Sequence, residues 1–220
     1  MPSLTIENYV KAIYQIALQG SDKAASTGEI ATALEVSPGT VTSMLKTLSE
    51  TGLASYTKYE GVSLTESGRK LALRVLRRHR LIELFLVHTL DLAWDEVHEE
   101  AENMEHAVSD FLVDRIDQFL GYPSSDPHGD PIPTADGKIR TEQGVKLTQW
   151  EPGKEFRLVR VMEQSSDFLR YLSEESLQPG CEAKLISCRA EAGIVTIEID
   201  GRVTALGLEA AEKLMVTAIG

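Results

Sequence analysis

Four of the chain's eight prolines fall between Pro123 and Pro133. Each lacks an amide donor and clashes with a preceding helical turn, so no helix or central sheet strand runs through them. The 220-residue chain is thereby cut in two. Ahead of the prolines, apolar residues recur at helical spacing. Beyond Val145 they come in short alternating runs. The reading is a mainly α chain with small β elements: a winged helix-turn-helix over 1–72, a helical dimerisation segment over 73–122, a Pro-rich linker over 123–144 and a small β-barrel over 145–220.

In the first segment Val10, Ile13, Tyr14, Ala17 and Leu18 fit one face of a helix that ends near Gly20. Ser26 or Thr27 caps a second helix carrying Ile30, Ala31 and Leu34. After Ser37-Pro38-Gly39, a third runs from Thr40 to Glu50 with Val41, Met44, Leu45 and Leu48 inward. Two short helices joined by a brief turn form a helix-turn-helix, whose second helix presents its N-terminal end to the major groove. That end offers Ser37, Pro38, Gly39, Thr40, Thr42 and Ser43, with Lys46 one turn on. Two strand-like runs, 53–57 and 61–65, form a wing with Lys58 and Tyr59 at its tip. A plain three-helix bundle with polar exposed positions is the competing reading of the helices alone.

Charge is unevenly placed. The whole chain carries −12, yet residues 1–80 hold ten Lys and Arg against seven Asp and Glu. A mildly basic head suits phosphate contact; the acidic remainder implies a separate task. No apolar run reaches membrane-spanning length, and the N-terminus lacks a signal-peptide pattern, which points to the cytoplasm. Cys181 and Cys188 lack C-x-x-C spacing and read as reduced, half-buried thiols rather than a thiolate metal site.

The acidic segment also holds histidines at ligand-like spacing. His79 and Glu83 lie four apart, as do His98 and Glu102, and Glu102, Glu105 and His106 share a helix face. Facing helices with such patterns build metal sites in bundles. A solvated acidic helix with incidental histidines fits the spacing equally well. If metal binds, an oxygen and nitrogen donor set without sulfur favours Mn²⁺ or Fe²⁺. The apolar residues Val97, Ala101, Met104, Val108, Phe111, Leu112, Ile116 and Phe119 exceed what one helical layer covers, which implies a homodimer.

Taken in order, Glu7-Asn8-Tyr9, Ser37-Pro38-Gly39-Thr40-Val41-Thr42, Leu64-Thr65-Glu66-Ser67-Gly68, Arg78-His79-Arg80-Leu81, Glu102-Asn103-Met104-Glu105-His106 and Asp126-Pro127-His128-Gly129-Asp130-Pro131-Ile132-Pro133 resemble the diphtheria toxin repressor family of iron- and manganese-dependent regulators. The resemblance covers essentially the whole chain. It implies a homodimer that binds double-stranded operator DNA when metal-loaded, no organic substrate and no membrane partner. It also implies a primary site of Asn8, Glu102, Glu105 and His106, an ancillary site of His79, Glu83 and His98, and further ligands Asp126, His128 and Glu163. Glu102, where the iron-responsive branch has cysteine, leans the metal towards Mn²⁺. Two positions depart from the manganese branch: Asn8 replaces an aspartate, and Lys11 stands where one binuclear type has glutamate. The rival readings are a winged-helix regulator of an organic ligand and, more remotely, a metal-dependent hydrolase.

Overall fold

The Ser3 hydroxyl accepts from the Ile6 amide and starts the first helix, α1 (Leu4–Gln19). The computed structural model describes residues 3–20, 23–58, 60–140 and 143–219. They group into two units. One comprises 1–79 with 105–107 and 133–138; the other comprises 80–104, 108–132 and 139–220.

In the first unit, Ser26 and Glu29 form a reciprocal capping box that opens α2 (Thr27–Ala33). Glu35 takes a positive φ in the turn, and α3 (Pro38–Glu50) begins two residues earlier than the sequence suggests. The reason is local: Pro38 fits the first helical turn, while Ser37 caps it by accepting from the Thr40 amide. Val41, Leu45 and Leu48 are buried as expected, but Met44 is only half-buried. Strands β1 (Ala54–Thr57) and β2 (Gly61–Leu64) pair antiparallel, and Ala25 bridges to Val62 on the other side. Gly61 has φ +101°, and a Cβ there would approach the Ala25 carbonyl oxygen to 2.8 Å, so glycine is required. Thr65 accepts from the Gly68 amide and leads into the long α4 (Glu66–Leu90).

In the second unit, the helical run is interrupted before Ser109. Helix α5 (Val97–Glu105) ends, and Ser109 caps α6 (Asp110–Phe119). Leu81 packs with Val113, Ile116 and Ile132, and Ile82 with Leu86, Val97 and Ala101. The C-terminal part contains β3 (Val145–Lys146), β4 (Glu155–Val161), α7 (Ser166–Glu174), β5 (Glu182–Arg189), β6 (Ile194–Ile199), β7 (Arg202–Gly207), α8 (Leu208–Ala211) and β8 (Leu214–Thr217). The strands form one antiparallel sheet in the order β3-β8-β4-β5-β6-β7. Alternate residues of β4 and β6 face a core of Phe156, Leu158, Val195 and Ile197. Strands β7 and β3 leave little alternation in the sequence. In β7 only Leu206 is buried, so its alternation is faint, and β3 is two residues long.

Gly129 fastens the Pro-rich segment to this sheet. Its φ is +85°, and a Cβ would lie 2.0 Å from the Val159 carbonyl oxygen. The Val161 amide donates to the His128 carbonyl at 2.9 Å, so the linker here is a docked loop.

Candidate metal centre and nucleic-acid face

Helix α4 places Glu83 in the second unit with the carboxylate buried, 1% exposed. The loop after α6 brings Asp126 and His128 to it. One donor atom from each of these three residues lies within 4.8 Å of the others. Asp126 builds the loop that carries it: its Oδ1 accepts from the amides of His128 and Asp130, each at 2.9 Å. Arg80, one turn before Glu83, reaches Asp126 Oδ2 at 3.5 Å, Asp130 at 3.0 Å and the Pro131 carbonyl.

His128 is 1% exposed, and its Nε2 lies 2.8 Å from the carbonyl oxygen of Trp94. A carbonyl only accepts, so Nε2 carries a proton, and in the neutral ring Nδ1 is the bare lone pair. That Nδ1 is buried without a hydrogen-bond partner. Burial, with Asp130 and Glu83 nearby, pushes the Asp126 carboxyl well above the usual carboxylate range. Two buried carboxylates and an unpartnered imidazole nitrogen are a donor set that a divalent cation fits, beside the Arg80 guanidinium that already faces Asp126. The indole of Trp94 stacks on the imidazole, centroids 5.6 Å apart, and donates to Ser173 of α7 at 2.7 Å.

Of the expected ancillary ligands, Glu83 and His98 come together, and His79, one helical turn before Glu83 on α4, also bonds Glu105. His98 Nδ1 meets Glu83 at 3.2 Å, and its Nε2 lies 3.6 Å from Glu102. Glu102 is exposed, whereas Glu105 is buried. Glu163 pairs with Lys213 at 3.1 Å, and the Glu83, Asp126 and His128 group does not include it. In the first unit Glu105 and His106 do come together, Nε2 to Oε1 at 3.2 Å. Their other partners are His79 and Lys11 on Glu105, and Glu7 on His106. The Asn8 side-chain oxygen is buried without a partner. Sequence reasoning missed Glu7, Arg80, Asp130 and Trp94 as members of these clusters. Glu7 and Lys11 stand at i, i+4, the one signal that they share a face. Cys181 and Cys188 are free and half-buried.

Ser37, Pro38, Gly39, Thr40, Ser43 and Lys46 are exposed along the start of α3. The Thr42 hydroxyl is turned back onto the Pro38 carbonyl at 2.9 Å, and the Ser37 and Thr40 hydroxyls are 2.8 Å apart. Lys58 is exposed on the wing, and Tyr59 lies outside the described residues. On α6, Phe111 and Phe119 are 75% and 68% exposed, beside an apolar groove lined by Phe85, Met104, Leu112 and Ile116. No helix of the described residues is long and apolar enough to cross a membrane.

Three regions match known families. Residues 1–62 match the iron dependent repressor N-terminal DNA binding domain, and 65–134 the iron dependent repressor metal binding and dimerisation domain. Residues 145–218 match the FeoA domain. The iron-dependent repressor IdeR of Mycobacterium leprae (strain TN) is 30% identical over 90% of this chain and 89% of its own length. IdeR of Mycobacterium bovis is 36% identical over 59% of this chain, a match spanning about half (55%) of that relative. Among solved structures, a manganese-dependent transcriptional repressor complexed with manganese superposes with a TM-score of 0.85. It is 37% identical over 97% of this chain and 100% of that one. ScaR with bound Zn²⁺ superposes with a TM-score of 0.79 at 35% identity, over 99% of this chain and 100% of its own.

Proposed function

The chain belongs to the iron-dependent repressor family of metal-dependent, DNA-binding transcriptional regulators, and from that premise we propose that it represses transcription when a divalent ion is seated on Glu83, Asp126 and His128. The observation that carries the site is the buried, unpartnered Nδ1 of His128 facing two carboxylates. When bound, the cation would draw on the two carboxylate oxygens and the imidazole nitrogen of this trio. The donors are two oxygens and an imidazole, which favours Mn²⁺, then Fe²⁺, over thiolate-selected ions.

The chain's own residues do the rest. Trp94 fixes the tautomer and plane of His128, and Arg80 with Asp130 holds the loop that carries Asp126. An ion buried among protein ligands acts here by favouring one conformation, not by turnover, so the protein is a switch rather than an enzyme. The switch works only if metal binds the DNA-competent state more tightly than the alternative. The open apolar face around Phe111 and Phe119 is the homodimer contact, and α3 with the wing meets the operator.

The test is binding to DNA upstream of the protein's own gene, in chelator and then with Mn²⁺, or Fe²⁺ without oxygen. Tight binding only with metal is the expected result. Equal affinity in chelator would overturn the proposal and favour a regulator whose acidic helices serve another purpose.

A further inference from the structure

Glu105 closes α5 and is buried, 1% exposed, in the first unit. Both of its oxygens are taken. Oε1 is 2.7 Å from Lys11 Nζ and Oε2 is 2.6 Å from His79 Nδ1. Lys11 sits on α1 and is itself only 7% exposed. Against the upward push of burial, the His79 hydrogen bond and the Lys11 charge hold the Glu105 carboxyl below its usual range. One turn earlier on α1, Glu7 bonds His106 Nδ1 at 2.8 Å and lies 3.7 Å from Arg78. Two buried carboxylates thus face two fixed cations, Lys11 and Arg78. Asn8, which adjoins Glu7, brings a neutral oxygen.

The contrast with the His128 trio is one of charge. There, Arg80 lies 3.5 Å from Asp126, His98 lies 3.2 Å from Glu83, and His128 offers a buried nitrogen without a hydrogen bond. Around Glu105 the cationic position is already filled by an ammonium on a four-carbon stem. We propose that Lys11 is a tethered cation: it ties α1 to the end of α5 in the absence of metal, and a divalent ion reaches Glu105 only by displacing it. The cluster that by family resemblance would be a primary metal site is therefore held closed by the chain itself. This inference rests on the reading that the protein takes up divalent metal, but it concerns a different cluster from the His128 trio.

Two measurements test it. In chelator, Lys11→Met should unfold roughly 5–10 °C below the unaltered protein, because it strands a buried carboxylate. Lys11→Arg should keep most of that stability. Mn²⁺ binding is then followed by electron paramagnetic resonance in a His128→Ala background, which removes the trio. Adding Lys11→Met should create a Mn²⁺ equivalent absent from His128→Ala alone, and that ion should restore the lost thermal stability. Lys11→Met with unchanged stability in chelator, or with no gain of Mn²⁺ over its background, would overturn the tether. Should Lys11→Met fail to fold, Lys11→Gln is read in the same way. If the unaltered protein takes no Mn²⁺ while the Lys11 variants do, the His128 reading fails and the tether stands.

Discussion

The imidazole of His128 donates from Nε2 to the backbone oxygen of Trp94, 2.8 Å away, while the Trp94 ring lies over it with centroids 5.6 Å apart. Trp94 is therefore a reporter for the trio. The chain has two tryptophans, so a Trp150→Phe variant isolates the signal. Paramagnetic Mn²⁺ should quench Trp94 fluorescence in a saturable way, and His128→Ala should abolish the quenching. Saturable quenching that persists in His128→Ala would place the ion elsewhere.

Asp126→Asn separates metal affinity from stability. Burial already disfavours the charged form of Asp126, and the amide keeps an oxygen for the backbone donors at 128 and 130. The variant should melt at or above the temperature of the unaltered protein in chelator. Calorimetric titration should show Mn²⁺ affinity lowered by about tenfold or more, since even outer-shell changes have effects of that size. A large loss of stability without metal would mean that the carboxylate is structural.

Phe111 and Phe119 stand out from α6 with most of their surface in solvent. An apolar patch of this kind marks an interface. Phe119→Glu should move the protein from dimer to monomer in sedimentation velocity, and Phe111→Glu should at least weaken the dimer. Operator affinity should fall with it. A dimer that survives both substitutions would require a different contact.

Lys46 lies one turn beyond the exposed start of α3. If it meets a phosphate, Lys46→Ala weakens binding to all DNA sequences alike and reduces the slope of log K against log salt by about one. Sequence-selective loss with an unchanged slope would mean that Lys46 reads a base edge.

Gly129→Ala tests the docked loop. The methyl group has nowhere to go beside the Val159 carbonyl, and the backbone needs a positive φ. The substitution should destabilise the fold by about 2 kcal/mol or more in chemical denaturation. It should also lower Mn²⁺ affinity, because His128 is the preceding residue. Neutral behaviour on both counts would show that this loop is not a fixed part of the site.

What the sequence determined by itself is the local grammar. The period of Val10, Ile13 and Tyr14 and a cap at the start of α2 are set by neighbours within a few residues and were legible without a fold, whereas the Ser37-Pro38 start of α3 is equally local but was read two residues late. That no helix runs from Pro123 to Pro133 was legible too, since their backbone chemistry acts wherever they stand. Tertiary structure alone decided which ligand candidates share a site. Glu83 has a histidine four residues before it, and it also meets Asp126 and His128, more than forty positions away. Helical spacing says which side chains share a face but not which distant loop covers that face. Nor does it say which oxygen is already satisfied: Lys11 reads as one more cation on a polar helix until Glu105 is found 2.7 Å from it. Desolvation makes that difference, because a buried charge must find a partner and only the packed chain shows which one it took.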